Sequence, residues 1–291
     1  MNHEQIRRTI IIALVSDDAL MEQLVLKGGN ALAIVHEIGA RTSLDLDYSL
    51  EGDFTDAQAA GRLIEAALTT EFRRHDIVVF DFKCEAKPGK PSSDTPSWWG
   101  GYLVSFKLIG REAHEDAKDL SDARRRALMT GAGAGAKGTF KIDISKHEYT
   151  SPRVAAEIED FAVYVYTPEM IAVEKIRAIC QQMPEYGFIS EKMKRARARD
   201  FYDIYAVLTS RTIDLTTAES LFLLREVFSA KGVPVRLLSN IGHETVFNFH
   251  ETGWASVEAS AKPEHGFRFY FDFVSALVAT LKPLWEEDSP S

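Results

Sequence analysis

Cysteine is scarce in this chain: Cys84 and Cys180 are the only two among 291 residues. They are too few and too far apart for a disulfide framework or a four-ligand zinc site, so both read as reduced, buried thiols. No run approaches the ~20 apolar residues needed to span a bilayer, and no basic start with an apolar core and a small-residue cleavage site marks a secretory leader. The expected location is the cytoplasm, with no membrane partner. Surplus positive charge is missing too. A net charge of −9 argues against coating nucleic acid non-specifically, which depends on neutralising phosphates with excess Lys and Arg. Only local patches remain, and Lys192, Lys194, Arg195, Arg197 and Arg199 form the conspicuous one. There is no internal repeat, no Ser-His-Asp elbow and no metal-spaced histidine pair; His147 and His243 read as surface or satisfied core residues.

What is present is the composition of an ordinary globular protein, with 45% hydrophobic and 26% charged residues. The chain is long enough to bury a substantial core in one large domain or two modest ones. Apolar spacing predicts a helix up to about Val15, and Asp17 or Asp18 can cap a second running toward Leu24. Val25 to Lys27 reads as a short strand, Gly28-Gly29 as a tight turn, and Asn30 as the cap of a helix ending near Gly39. Leu44 to Tyr48 alternates apolar and acidic residues with the period of a strand, which puts Asp45 and Asp47 on one face.

A helix from Thr55 to about Phe72 follows, then two β-rich stretches, Ile77 to Cys84 and Tyr102 to Ile109. The loop between them is marked by Pro88, Pro91, Pro96 and Gly100-Gly101, and the pair reads as a hairpin. Thr139 to Ser145 alternates again and carries Asp143, and Phe161 to Tyr166 reads as one more strand. From Thr167 the pattern is helical, with Pro168 suited to a first turn. Further helices are expected at about 198–209, 216–230 and 268–282, with irregular sequence between 238 and 266. The domain boundary is placed near residue 166, giving domains 1–166 and 167–291. The Gly131 to Ala136 tract reads as a connector, because Lys137 follows an alanine and the Walker spacing fails.

The chemistry concentrates in Lys27-Gly28-Gly29-Asn30 and the Asp45-Leu46-Asp47 strand. Two carboxylates on one face repel by about 4 kcal/mol at ~4 Å and an effective dielectric of 20, so a cation should sit between them. Hard oxygen ligands with room for phosphate suit Mg2+ or Mn2+, and Asp143 could complete an acidic triad. The same Asp-x-Asp can also be solvated carboxylates at a sheet rim. Gly28 and Gly29 lack Cβ atoms and can bring backbone amides to a phosphate; Asn30 is either a helix cap or a nucleotide contact.

These stretches, Leu26 to Asn30, Arg41 to Asp47, Lys141 to Ser145, and A-V-E-K-I-R-A-I with R-A-R-D-F-Y-D-I-Y, span residues 26–205. Together they resemble the nucleotidyltransferase superfamily, and within it the AbiEii/AbiGii-type toxins, to which MenT-type toxins are related. The chain departs from the family's Gly-Gly-Ser or Gly-Gly-Thr in having Asn30. The resemblance implies an α/β (α+β) fold, a nucleotidyltransferase-like mixed sheet domain with helices followed by a mainly helical C-terminal domain. It implies that Asp45 and Asp47 bind metal, that Ser43 lies beside the nucleotide phosphates, and that Lys175 with Asp200 or Asp203 from the C-terminal domain completes the pocket. Arg41 and Arg199 read equally as phosphate contacts or salt-bridge partners.

The expected activity is Mg2+- or Mn2+-dependent transfer of a nucleoside monophosphate from a nucleoside triphosphate to an acceptor hydroxyl. The resemblance points to RNA as acceptor, in particular the 3′ end of tRNA, with the basic run from Lys192 to Arg199 able to grip its backbone. It also implies the toxin of a type IV, AbiE-like toxin–antitoxin system with a separately encoded antitoxin. Two alternatives stand beside it: a nucleotide-binding regulatory protein that transfers nothing, and a small-molecule nucleotidyltransferase of the antibiotic-modifying kind.

Overall fold

The computed structural model describes residues 1–38, 45–90, 95–130 and 138–286. They form two compact units, Met1–Ala31 with Ser43–Val165, and Leu32–Thr42 with Tyr166–Ser291. The first unit is a mixed sheet with helices and the second is helical, which is the fold class the sequence leads one to expect.

In the first unit α1 (His3–Val15) begins at a capping box in which Asn2 and Gln5 satisfy each other's backbone N–H, and α2 (Asp18–Gln23) begins at Asp17. Next come β1 (Val25–Lys27), α3 (Gly28–Asn30) running into a π-helical stretch Ala31–Val35, and β2 (Leu46–Ser49). The long α4 (Ala57–Arg73) precedes the β3 (Ile77–Lys87) and β4 (Gly101–Gly110) hairpin. Two short helices, α5 (Arg111–Glu115) and α6 (Leu120–Arg126), lead to β5 (Phe140–Ser145), β6 (Val154–Ile158) and β7 (Phe161–Val165).

Among the described residues the strands form one sheet in the order β3-β4-β5-β2-β1-β7-β6. Alternation along β5 buries Phe140, Ile142 and Ile144 and leaves Lys141, Asp143 and Ser145 half-exposed on the other face. Phe72 of α4 and Phe106 of β4 meet on the buried face at 6.5 Å. The polar face is therefore the one available for chemistry. Cys180 is buried, but Cys84 is only half-buried on an edge strand, and both thiols are free.

In the second unit α7 (Pro168–Cys180) starts where Thr167 accepts from the Met170 N–H and Pro168 takes the first helical position. It is followed by α8 (Ala198–Ser210), α9 (Ala218–Ser229), α10 (Glu244–Glu251), α11 (Trp254–Ala261), α12 (Phe267–Thr280) and α13 (Pro283–Glu286). Phe201, Phe247, Trp254, Phe267, Tyr270 and Phe271 make an aromatic core between α8, α10, α11 and α12. The stretch 238–266 is thus not irregular: it holds α10 and α11. Neither helix has a side-chain cap, His243 and Gly253 standing at their N-termini without one, so neither start signal was there to read.

Candidate active site

The site in the first unit is built by strand register. Lys27 of β1 pairs with Asp47 of β2, and Asp47 with Asp143 of β5, so all three lie in one row across adjacent strands and their side chains share a face. Asp45 is exposed and lies one residue ahead of β2 rather than within it. Its backbone is held instead by Asn30, whose Nδ2 donates to the Asp45 carbonyl at 2.7 Å. Asn30 is therefore no helix cap: it is buried at 1% exposure inside the helical segment, with Lys27 at the N-cap position. The α-helical part is only the three residues Gly28–Asn30, so the turn's geometry matters more here than a helix dipole.

Gly28 explains the Gly-Gly pair. Its φ of +69° is in the left-handed region, and a Cβ added there would lie 2.7 Å from Asp47 Oδ2. The backbone of the turn thus packs directly against the carboxylate, and only glycine admits that approach. Gly29 follows it inside α3, half-buried.

Two cations frame the row. Lys27 is 6% exposed and its Nζ is 3.5 Å from the equally buried carboxylate of Glu148. Lys87, at the end of β3, places its ammonium on the Asp143 carboxylate. Nothing in the sequence singled out Glu148 or Lys87, since neither sits in a motif and each reaches the row only through the sheet. Nearby, Asp53 accepts from Lys146 Nζ at 2.7 Å and Tyr102 Oη at 2.5 Å; burial works against its charge, but these bonds hold its carboxyl below the usual range.

Arg41 and Ser43 lie outside the described residues, as do Leu44 and the Gly131 to Lys137 tract. Among the described residues, no group of three or more His, Cys, Asp and Glu side chains is arranged to hold a metal ion. The donor set still suits a hard divalent cation. Mg2+ is commonly held by one or two carboxylates with substrate phosphates and water completing its shell, and Asp47 and Asp143 offer that in one register. Asp143 takes the Lys87 ammonium as its counter-ion in this structure.

The second unit holds its own cluster. Lys175 of α7 places Nζ 2.9 Å from Asp200 Oδ1 and 2.7 Å from Asp203 Oδ2, the two aspartates lying one helical turn apart on α8. All three are buried. Burial opposes the lysine's charge, but the two carboxylates outweigh it and hold the ammonium above the ordinary lysine range. Arg197 adds a contact to Asp200 Oδ2 at 3.5 Å. Beside it is a residue that sequence reasoning passed over. His250 is 1% exposed, accepts the Arg197 N–H on Nδ1 at 2.8 Å and packs its ring against Phe201, fixing the start of the helix that carries both aspartates. Glu174, next to Lys175, pairs with Arg177 at 3.2 Å.

The basic run is mostly committed within the second unit. Lys194 is buried against Glu191, Arg195 donates to the Lys192 and Lys194 carbonyls at 2.9 and 2.8 Å, and Arg199 donates to Ser256 Oγ at 3.2 Å. Lys192 is exposed. Among the described residues no helix is long and apolar enough to cross a membrane.

A family model described as nucleotidyl transferase AbiEii toxin, type IV TA system, matches residues 10–265. No relative matches among curated proteins. Among solved structures the chain is similar to a protein of H. pylori described as a candidate nucleotidyltransferase, at 16% identity over 100% of this chain and 97% of that one, with a TM-score of 0.49. It is also similar to an antigenic nucleotidyltransferase-like protein from Paracoccidioides brasiliensis, at 15% identity over 77% and 88% of the two chains, with a TM-score of 0.37.

Proposed function

This chain belongs to the AbiEii nucleotidyltransferase toxin family of type IV toxin–antitoxin systems, and we propose that it transfers a nucleoside monophosphate from a nucleoside triphosphate to an acceptor hydroxyl, with RNA as the acceptor. The observation that carries this reading is the alignment of Asp47 and Asp143 in one register, with the Gly28 backbone packed against the Asp47 carboxylate. In the reaction a bond forms between the acceptor oxygen and the α-phosphorus, the α–β phosphoanhydride bond breaks, pyrophosphate leaves and the hydroxyl proton is released.

Asp45, Asp47 and Asp143 would hold Mg2+ or Mn2+, which supplies charge compensation for the phosphate oxygens. The chain's own part is positioning. Asn30 fixes the Asp45 main chain, Gly28 sets the distance from the turn to Asp47, and Lys27, held by Glu148, keeps positive charge in the row. This gives Asn30 a use that needs no hydroxyl, so its departure from the family's Ser or Thr is compatible with transfer. Lys27, Gly28, Gly29 and Asn30, together with Arg41 and Ser43, are proposed to contact the nucleotide. Lys175, Asp200 and Asp203 are proposed to serve catalysis and nucleotide handling. The acceptor class, with the 3′ end of tRNA as first candidate, a separately encoded antitoxin and action in the cytoplasm belong to the same proposal.

The test is incubation of the protein and its Asp45→Ala variant with each α-labelled nucleoside triphosphate, Mg2+ and total RNA, followed by gel separation. An Asp45-dependent labelled RNA band is expected, and it identifies base and acceptor together. Nucleotide binding without label in RNA or in small-molecule acceptors would overturn the transfer reading.

A further inference from the structure

We infer that Lys87 is the resident counter-ion of the aspartate site, and that a divalent cation reaches Asp143 only by displacing its ammonium. The inference rests on the reading above that Asp45, Asp47 and Asp143 take such a cation.

The contact is not one that neighbouring strands make by default. Lys87 ends β3 and Asp143 lies on β5, with β4 running between them. Strands sit ~4.8 Å apart, so the lysine must span about two such spacings to reach the carboxylate. The register leaves the way open. Lys87 pairs with Gly101 and Gly101 pairs with Ser145, two residues along from Asp143, so the position on β4 that faces Lys87 has no side chain. A Cβ at Gly101 would lie 1.9 Å from the Ile144 carbonyl oxygen, so only glycine fits there. The crossing is written into the backbone of three strands. Lys83, four residues earlier on the same strand, faces Ser105 instead and has a side chain in its way.

The ion pair is partly exposed, Lys87 at 56% and Asp143 at 35% of their side-chain areas. Partly exposed pairs are weak, so the lysine can be moved aside, yet its ammonium competes for the same oxygens. Removing it should tighten divalent binding by about two- to fivefold, the range that a weak surface pair can impose. Lys87 thus acts toward the metal as a positioning and screening residue: it holds Asp143 in place and keeps the carboxylate compensated until the stronger cation arrives.

The experiment measures Mn2+ binding, without nucleotide, from the loss of the free-ion electron paramagnetic resonance signal. It compares wild type, Lys87→Met and Lys87→Arg, each with and without Asp143→Asn, with Asp47→Asn as a separate control and thermal melts to check folding. The expected result is tighter Mn2+ binding by Lys87→Met, wild-type affinity in Lys87→Arg, and no effect of Lys87→Met once Asp143 is Asn. Equal or weaker binding by a folded Lys87→Met overturns the inference while leaving the metal reading standing, provided that Asp47→Asn weakens binding. Mn2+ affinity indifferent to Asp47→Asn, or no binding by any of the proteins, overturns the metal reading and the inference with it. Should Lys87→Met fail to fold, Lys87→Gln takes its place under the same expectations.

Discussion

Acidification should weaken the second unit through His250. Burial pushes the imidazole down from 6.5 to about 4, with Asp200 working in the opposite direction and Arg197 adding to the fall. Its Nδ1 must also be unprotonated to accept the Arg197 N–H. The folded protein therefore holds His250 neutral, whereas the unfolded chain protonates it near 6.5. Its contribution to stability is fully present above pH 6.5, falls as the pH drops, and is gone below about 4. At 1.36 kcal/mol per pKa unit the full span corresponds to about 3 kcal/mol, and the part lost between pH 7.5 and 4.5 is about 2.5 kcal/mol. The assay is urea denaturation at both pH values for wild type and His250→Asn, whose amide oxygen can still accept from Arg197 but does not titrate. Groups common to both proteins cancel, and wild type should lose about 2.5 kcal/mol more than the variant on acidification. Equal losses would refute the reasoning, since they would mean that His250 keeps its proton equilibrium on folding.

Gly28→Ala forces a left-handed backbone on a residue with a Cβ, at a cost of about 1–2 kcal/mol, and drives that Cβ into Asp47 Oδ2. If the aspartate is catalytic, transfer should fall by on the order of 100-fold while the fold survives, as read by labelled-nucleotide turnover beside a thermal melt; full activity would show that the close approach is immaterial. Lys175→Met leaves Asp200 and Asp203 buried without their counter-charge, for which chemical denaturation should register about 3–5 kcal/mol of destabilisation, partly restored by adding Asp203→Asn. A stable single variant would mean that the pair is satisfied by other means.

The parts of the fold legible in the sequence are those where one face is buried and alternation must follow. The β5 stretch shows it best: the period of two along Phe140 to Ser145 is the burial pattern of the strand. The α7 start was equally plain, because Thr167 and Pro168 are local signals with local consequences. The helix-cap reading of Asn30 fails for the converse reason. An Asn after a glycine turn looks like a cap, but its amide is spent on the Asp45 carbonyl fifteen residues away, a use that no local pattern announces. Lys87 and Glu148 were invisible because the sheet's register, not their neighbours in the chain, brings them to the aspartate row. His250 was lost among scattered histidines, since what distinguishes it is a backbone N–H 53 residues upstream.

The assignment of Leu32–Thr42 to the second unit, while the chain on either side builds the first, bears on how the protein is made. His36 Nε2 binds the Tyr166 carbonyl at 2.7 Å, and Arg211 donates to the His36 carbonyl at 3.0 Å. During synthesis His36 leaves the ribosome 130 residues before Tyr166 does. At about 5–20 residues per second it waits roughly 7–26 s for the first of these partners, and longer for Arg211. A fragment beginning at residue 166 would lack that segment and both of these bonds, which in the whole chain come from residues made before most of the sheet half.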